Sequence, residues 1–287
     1  MRLTVRAPAK INLTLEVLSK RNDGYHEIRS VIQTIDLYDV ITIEDGDGPS
    51  FRSTIKEWNP DKSLLSKAVN LFYEATGISK NVSITVEKNI PMMAGLGGDS
   101  SDATAVLRGL NQFCETSLSV EKLHGIAERL GSDVPFFLYC GTALIEGRGE
   151  IVTLLPSIPE MCLVLAVPSI DIPPGKTGRL FQSLSANHYT DGDITRRFVE
   201  VLTAGEKNLP LFNTFENVGY DVFPGLGVFR EHFIKLGAEK VHLAGSGPVL
   251  FTVVPDLAAA EDLHRQLEKQ RMNPIISKTV SEIEKID

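Results

Sequence analysis

A glycine-rich stretch between a strand-like and a helix-like segment has the sequence Pro91-Met92-Met93-Ala94-Gly95-Leu96-Gly97-Gly98-Asp99-Ser100-Ser101. Glycines let the backbone turn tightly and bring its N–H groups close to a ligand. A helix after the stretch would add unpaired N–H groups and the positive end of its dipole, and the two serines would add hydroxyl donors. These features predict a binding site for a phosphate chain. A tight turn that uses its glycines only for packing is the alternative interpretation.

The stretch matches neither of two common nucleotide-binding motifs. It lacks the Gly-x-x-x-x-Gly-Lys-[Ser/Thr] spacing of a Walker A motif, and Ser100 stands where the Rossmann fingerprint requires its third glycine. A second segment, Pro174-Gly175-Lys176-Thr177, ends like a Walker A motif, but Ile170 occupies the position of the upstream glycine. We interpret this second segment as a coincidental match.

The segments around the glycine-rich stretch alternate between strand and helix patterns. Period-two alternation or short apolar runs predict strands over 3–6, 11–17, 28–37, 40–44, 82–87, 134–139 and 142–145. Apolar residues at helical spacing predict helices over 63–74, 101–113 and 120–130. Gly77 and Gly131 are the expected helix stops.

A composition shift at Pro156 and Pro159 predicts a boundary between a domain over 1–156 and a domain over 157–287. Residues 171–193 are rich in Pro, Gly, Ser and Asp, which predicts a loop with one short helix. In the C-terminal part, predicted strands and helices interleave over 162–167, 218–236, 240–243, 249–254, 258–271 and 274–277. This order favours an α+β sandwich of ferredoxin-like type.

Length and composition narrow the class of protein. The chain has 287 residues, which at about 150 residues per domain predicts two domains. Lys and Arg total 29 against 37 Asp and Glu, so the net charge of −8 disfavours a nucleic-acid partner. The three cysteines and six histidines show no metal-binding spacing, and no apolar run is long enough to span a membrane. We expect a reduced, cytoplasmic protein without a membrane partner.

Four further segments carry a family resemblance, and they are Ala7-Pro8-Ala9-Lys10-Ile11-Asn12-Leu13, Lys20-Arg21-Asn22-Asp23-Gly24-Tyr25-His26-Glu27-Ile28, Leu130-Gly131-Ser132-Asp133-Val134-Pro135-Phe136-Phe137 and Ala244-Gly245-Ser246-Gly247-Pro248. With the glycine-rich stretch, they resemble motifs of the GHMP kinases, the superfamily of galactose, homoserine, mevalonate and phosphomevalonate kinases. The Asp-Gly-Tyr-His segment is the most specific, and it resembles that of the 4-diphosphocytidyl-2-C-methyl-D-erythritol kinases.

The resemblance implies both a fold and a reaction. The implied fold is α+β, with an N-terminal domain like ribosomal protein S5 domain 2 and a ferredoxin-like C-terminal domain. The implied reaction transfers the γ-phosphate of ATP to the 2-hydroxyl of 4-diphosphocytidyl-2-C-methyl-D-erythritol, a step of non-mevalonate isoprenoid precursor biosynthesis. ATP would be the co-substrate, and Mg²⁺ is expected with it. The partners would therefore be small molecules.

The resemblance also implies residue roles. Asp133 would be the catalytic base, and Lys10 the catalytic lysine that holds Asp133 ionised and offsets charge on the phosphoryl group. Tyr25 and His26 would bind the cytidine end, because a ring can stack on a base and an imidazole can hydrogen-bond its edge. Asn12 would reach the substrate polyol. Residues 91–101 would bind ATP.

Two departures from the family pattern and two alternatives remain open. Asp99 replaces a common third glycine, and we expect its carboxylate to face solvent or the metal. Val249 replaces a common threonine, so it receives no polar role. No protein ligand for Mg²⁺ can be assigned, and Lys10 supplies the one side-chain cation expected for anion binding.

The alternatives are another GHMP kinase, acting on mevalonate or homoserine, and a non-catalytic nucleotide- or RNA-binding protein on the same fold.

Overall fold

The fold was obtained as a computed structural model, which describes residues 1–56, 58–60, 63–206 and 208–282. The strands are β1 Arg2–Lys20, β2 His26–Asp45, β3 Ser50–Ser53, β4 Val82–Glu87, β5 Thr142–Gly147, β6 Ile151–Leu154, β7 Cys162–Ala166, β8 Phe212–Asn213, β9 His242–Leu243, β10 Leu250–Val254 and β11 Pro274–Lys278. The α-helices are α1 Leu64–Thr76, α2 Gly98–Phe113, α3 Val120–Glu128, α4 Lys176–Ser183, α5 Asp193–Thr203, α6 Glu216–Val222, α7 Leu226–Lys235 and α8 Leu257–Lys269.

A large sheet has the strand order β3-β4-β2-β1-β8, and β5 joins it by pairing with β2 and β6. Its centre is the antiparallel pair β1–β2, which extends from Arg2 opposite Glu44 to Lys20 opposite His26. The sequence predicted two strands in place of each of these, and that prediction was wrong. Irregularities such as the one between Pro8 and Ala9 shift the register between the two strands without ending their pairing.

β1 contributes to two apolar cores, one on each side of the register shift between Pro8 and Ala9. Before it, Leu3 and Val5 pack with helices α1, α2 and α3 in one apolar cluster. After it, Ile11 and Leu13 pack in another cluster that contains strands of the second sheet. The extra residues at this register shift, Asp36 and Leu37, lie in β2, and the buried apolar residues of β1 keep the same alternation throughout. β1 therefore contributes to both cores because it is long enough to extend past the first one.

The second sheet is antiparallel, with the strand order β11-β7-β10-β9. Helices α6 and α7 precede β9, and α8 connects β10 to β11. This βαββαβ arrangement confirms the predicted α+β, ferredoxin-like C-terminal half. The proposed boundary at Pro156–Pro159 falls between β6 of the large sheet and β7 of the small one. The C-terminal half nevertheless adds β8 to the large sheet, parallel to β1.

Several predicted boundaries were confirmed by the described residues. Helix α1 begins after Ser63, whose hydroxyl accepts from Leu65 N, and ends at Gly77 with φ 68°. Helix α2 begins at Gly98 and not at the predicted Ser101, because Gly97 forms its N-cap and accepts from Ser101 N. The predicted helix over 120–130 and the strands over 82–87 and 162–167 agree with α3, β4 and β7 to within two residues.

Three further segments differ from what the sequence predicted. Residues Pro135–Leu138 form a buried 3₁₀-helix and not a strand, since an apolar run this short looks the same in either conformation. The helix predicted over 218–236 is two helices, α6 and α7, separated by Pro224 and by Gly225 at φ 90°. Helix α5 was not predicted at all. Its apolar residues Ile194, Phe198 and Leu202 recur every four residues, so the sequence contains a helical pattern that was overlooked.

Within the described ranges, no helix has the length and apolar character needed to cross a membrane.

Candidate active site

One cavity of about 1120 Å³ collects nearly all of the predicted site residues. It is lined from the N-terminal half by β1, the 91–100 loop and the segment after α3. It is lined from the C-terminal half by α4 and the 245–246 loop. Of the predicted site residues, only Ser101 does not line it. Ser101 is buried, and no partner is found for its hydroxyl, so its predicted contact with ATP is not supported by its position.

The glycine-rich loop is held against two other elements. Gly95, with φ 85°, lies so close to the 244–247 loop that a Cβ there would be 2.1 Å from Ala244 O. Gly97 has φ 74°, and a Cβ at this position would lie 2.8 Å from the Phe137 ring. Lys10 N donates to Leu96 O at 2.9 Å and fixes the loop to β1. These two glycines are therefore required by packing, and the loop they form still opens onto the cavity.

Lys10 and Asp133 are brought together although they are far apart in the sequence. Lys10 is buried, and its Nζ lies 3.4 Å from Asp133 Oδ2 and donates to Asn12 Oδ1 at 2.8 Å. Asn12 Nδ2 donates in turn to Ser30 Oγ at 2.8 Å. Both polar atoms of the Asn12 amide are thus engaged by the protein, and Asn12 orients the Lys10 ammonium.

A second lysine at this position was missed by the sequence reasoning. Lys176, the first residue of α4, donates from Nζ to Ser246 O at 3.0 Å, to Ser246 Oγ at 2.8 Å and to Gly247 O. Burial, followed by the positive charge of Lys10, lowers the pKa of Lys176 to about 7, and the Asp133 carboxylate opposes this shift. The signal was present in the Gly175-Lys176-Thr177 sequence, which was interpreted as coincidental.

The expectation that Lys10 supplies the one side-chain cation for anion binding is therefore wrong. The basic side chains on the cavity are Lys10, Lys20, Lys88, Arg148 and Lys176. A protein with a net charge of −8 can concentrate positive charge locally, because net charge does not report its distribution.

Aromatic side chains line another part of the cavity. The His26 imidazole stacks on Phe181 of α4, with ring centroids 4.7 Å apart and planes 17° apart. Burial, and to a lesser extent Lys20, lowers the pKa of His26, so its ring is neutral at pH 7. Tyr25 is exposed, and the Arg148 guanidinium lies 4.8 Å from its ring centroid. The predicted Tyr25 and His26 are on the cavity, and so are Phe181 and Arg148, which the sequence did not single out.

Comparison with known proteins agrees with this geometry. A family model for the GHMP kinases N terminal domain matches residues 63–141, and a model for the GHMP kinases C terminal matches residues 197–273. A 4-diphosphocytidyl-2-C-methyl-D-erythritol kinase from Dehalococcoides mccartyi is 45% identical over 266 residues, which cover 92% of this chain and 94% of the relative. The chain belongs to the 4-diphosphocytidyl-2-C-methyl-D-erythritol kinase family.

Solved structures of this family and of other GHMP kinases superpose on the chain with different TM-scores and sequence identities. A crystal structure of a 4-(cytidine 5'-diphospho)-2C-methyl-D-erythritol kinase superposes with a TM-score of 0.81 at 29% identity, covering 96% of this chain and 98% of that one. A homoserine kinase from Cytophaga hutchinsonii superposes with a TM-score of 0.73 at 17% identity, covering 100% and 96%. The second likeness reflects the shared GHMP kinase fold alone.

Asp99, a departure from the family pattern, stabilises a neighbouring helix. Its Oδ1 accepts from Ser63 Oγ at 2.8 Å, and its Oδ2 accepts from Leu64 N at 3.3 Å. Helix α1 has no acidic residue in its own first turn, so Asp99 supplies the negative charge that the helix N-terminus favours. The carboxylate was expected to face solvent or a metal, and Asp99 is exposed at the cavity. Its two oxygens accept hydrogen bonds from Ser63 and Leu64 at the start of α1.

A buried charge cluster lies under the loop and was also missed. Lys88 Nζ donates to Asp102 Oδ2 at 2.7 Å and to Asp39, whose Oδ1 accepts from Asn89 N and Ile90 N. Burial raises the pKa of Asp102 well above its usual value, although Lys88 opposes the shift. The cluster joins β2, the start of the loop and α2, and so fixes both ends of the phosphate-binding segment.

Val249, the other departure, lies away from the cavity. Its side chain is fully buried, and its N–H donates to Ala94 O at 3.3 Å. The residue therefore holds the 244–248 segment against the glycine-rich loop through its backbone, for which a threonine hydroxyl is not required.

Proposed function

We propose that the protein transfers the γ-phosphate of ATP to the 2-hydroxyl of 4-diphosphocytidyl-2-C-methyl-D-erythritol, in non-mevalonate isoprenoid precursor biosynthesis. The observation that carries this function is the Lys10–Asp133 pair, 3.4 Å apart, in the cavity that also contains the glycine-rich loop and the His26–Phe181 stack. A kinase for this substrate needs a place for a triphosphate, a base for a hydroxyl and a surface for a nucleobase. One cavity offers all three.

Asp133 is the proposed acceptor of the hydroxyl proton. Its side chain is 39% exposed, so an incoming alcohol can reach it, and it follows α3 at a fixed position beside Lys10. The substrate oxygen forms a bond to the γ-phosphorus, the bond to the β-phosphate oxygen of ATP breaks, and the hydroxyl proton passes to Asp133. Lys10, with its Nζ 3.4 Å from Asp133 Oδ2, offsets negative charge on the transferred group.

The cytidine end is proposed to bind at the aromatic part of the cavity. The Tyr25 ring is exposed and held by Arg148, so it can stack on the cytosine. The neutral imidazole of His26, held in place by Phe181, can hydrogen-bond the edge of the base. Asn12 reaches the polyol only if the substrate displaces one of its two internal hydrogen bonds.

ATP is proposed to bind along residues 91–100, where backbone N–H groups and the N-terminus of α2 face the cavity. Mg²⁺ is expected with it. In the part of the chain that the structure describes, no group of three or more His, Cys, Asp or Glu residues is arranged to hold a metal. This fits an ion held mostly by substrate phosphates and water, as Mg²⁺ commonly is. Such an ion would neutralise charge on the phosphates.

The proposed function is tested by measuring ADP release with the cytidyl alcohol, mevalonate and homoserine in separate reactions. We expect turnover with the cytidyl alcohol and none with the other two. The Asp133→Asn variant is the matched control for contaminating activity, because it keeps the shape of the site and removes the base. Turnover with mevalonate or homoserine alone would refute the proposal.

A further inference from the structure

The Lys10 ammonium is held from behind by a chain of three hydrogen bonds that ends on the backbone of β1. Lys10 Nζ donates to Asn12 Oδ1 at 2.8 Å, and Asn12 Nδ2 donates to Ser30 Oγ at 2.8 Å. Ser30 Oγ donates in turn to Thr14 O at 2.5 Å. All four residues are buried, so a polar atom that loses its partner here has little solvent to turn to.

The chemistry of these groups fixes the direction of every bond in the chain. A lysine ammonium can only donate, so the Asn12 atom that faces Lys10 must be the carbonyl oxygen Oδ1. The amide nitrogen Nδ2, which can only donate, then faces Ser30. Ser30 Oγ gives its single proton to Thr14 O, and its lone pairs remain to accept from Nδ2. The Ser30 hydroxyl therefore selects the amide orientation in which Asn12 binds the ammonium.

The opposite orientation of the Asn12 amide would lose both contacts. Nδ2 would face Lys10 Nζ, so two donors would meet, and Oδ1 would face a hydroxyl whose proton is already given to Thr14 O. Without the Ser30 hydroxyl, the native orientation leaves the buried Nδ2 without this acceptor, and the energy difference between the two orientations shrinks. Lys10 would then be without its orienting oxygen for part of the time.

The chain of hydrogen bonds ends at a bulge in β1. Leu13 is the extra residue, because Asn12 and Thr14 pair with consecutive positions of β2. At this bulge Thr14 Oγ1 accepts from Val31 N at 2.9 Å and from Thr195 Oγ1 of α5 at 2.9 Å. Thr14 is thus held by β2 and by α5 of the C-terminal half, which makes it a firm anchor for the chain.

We propose that Ser30 is a positioning residue of the phosphoryl-transfer centre, whose hydroxyl fixes the orientation of the Asn12 amide and so holds the Lys10 ammonium beside Asp133. Ser30 is fully buried and does not line the cavity, so it acts through Asn12 and not on a substrate. This inference rests on the proposed kinase function, because the position of Lys10 affects the rate only if a phosphoryl group is transferred beside Asp133.

The test compares the steady-state kinetics of three Ser30 variants with the cytidyl alcohol and ATP. For Ser30→Ala, kcat should fall by about tenfold to a hundredfold with KM for ATP unchanged, since small displacements of reacting groups cost rate on this scale. Ser30→Thr keeps the hydroxyl and suits a strand, so it should retain most of the wild-type kcat. Ser30→Cys keeps a similar size but is a weak donor and acceptor, so it should lose activity and decides the matter if Ser30→Ala does not fold.

A double-mutant cycle separates positioning from a general loss of stability. Because Ser30 acts through the Asn12 amide, Ser30→Ala should lower kcat in the wild-type chain and have no further effect in Asn12→Ala. The matched control is Ser277→Ala. Ser277 is another buried serine, its hydroxyl donates to Asp36 Oδ1 at 2.7 Å, and it does not line the cavity. The control should lose stability in denaturant unfolding and keep the wild-type kcat.

Wild-type kcat in Ser30→Ala or Ser30→Cys would overturn the inference, and so would a Ser30→Thr enzyme as slow as Ser30→Ala. Equal fold losses of kcat on Ser30→Ala with and without Asn12 would also overturn it, because Ser30 would then act by another route. Failure of the proposed function is a separate result, since the wild-type protein itself would then not turn over the cytidyl alcohol.

Discussion

Gly245→Ala is a sharp test of the packing around Lys10. Gly245 has φ 52°, and a Cβ there would lie 2.7 Å from Gly95 O, 2.9 Å from Asn12 Oδ1 and 3.0 Å from Lys10 Nζ. The left-handed backbone alone costs an alanine roughly 1–2 kcal/mol. To relieve the three contacts, the loop or the Lys10–Asn12 pair must move by about half an ångström, and misplacement of reacting groups on this scale costs roughly tenfold to a hundredfold in rate.

We therefore expect kcat to fall by about tenfold to a hundredfold, with about 1–2 kcal/mol lost from the free energy of unfolding. Steady-state kinetics and denaturant unfolding measure the two effects separately. The matched control is Gly77→Ala, because Gly77 has φ 68° but nothing within 4 Å of its would-be Cβ. The control should lose similar stability and keep its kcat. A Gly245→Ala enzyme with wild-type kcat, or an equal loss of kcat in the control, would refute the reasoning.

Three further substitutions test other parts of the site. Asp133→Ala should abolish turnover and leave ATP binding intact by calorimetry, and full activity would contradict its assignment as the base. Asp99→Ala should lower the free energy of unfolding by about 1 kcal/mol through loss of the α1 cap, and a double-mutant cycle with Ser63→Ala should show that the two losses are not additive. Phe181→Leu should raise KM for the cytidyl alcohol by up to about tenfold, since loss of the ring pair that holds His26 costs roughly 0.5–1.5 kcal/mol, with KM for ATP unchanged; an equal rise in both KM values would count against a local role.

The elements predicted best are those whose cause is local. Helix α1 has an apolar stripe, a serine N-cap and a glycine stop, and all three are visible in the sequence. The 3₁₀-helix Pro135–Leu138 was wrongly predicted as a strand, because four consecutive apolar residues have no periodicity that distinguishes one conformation from another. Helix α5 was overlooked although Ile194, Phe198 and Leu202 have helical spacing.

The candidate site shows the same division. The glycine-rich loop, Lys10, Asp133, Tyr25 and His26 lie in recognisable motifs, and nearly all of these predicted residues line one cavity. Phe181 and Arg148 were not named because single residues at these positions have no distinguishing pattern, and Lys176 was not named because its Gly-Lys-Thr sequence was interpreted as a coincidental match. Their relevance depends on what they face, namely the His26 ring, the Tyr25 ring and the 246–247 carbonyls.

By itself, the sequence determined the order of the motifs, the α+β character of the chain and the chemical types of the reacting groups, because these depend on residue identity and short-range spacing. Only the tertiary structure decided their electrostatics. The 3.4 Å separation of Lys10 and Asp133, the capping of α1 by Asp99 and the lowered pKa of Lys176 all arise between residues far apart in the chain. A charge interacts through space and through the solvent that burial removes, and neither distance nor burial is written in the order of the residues.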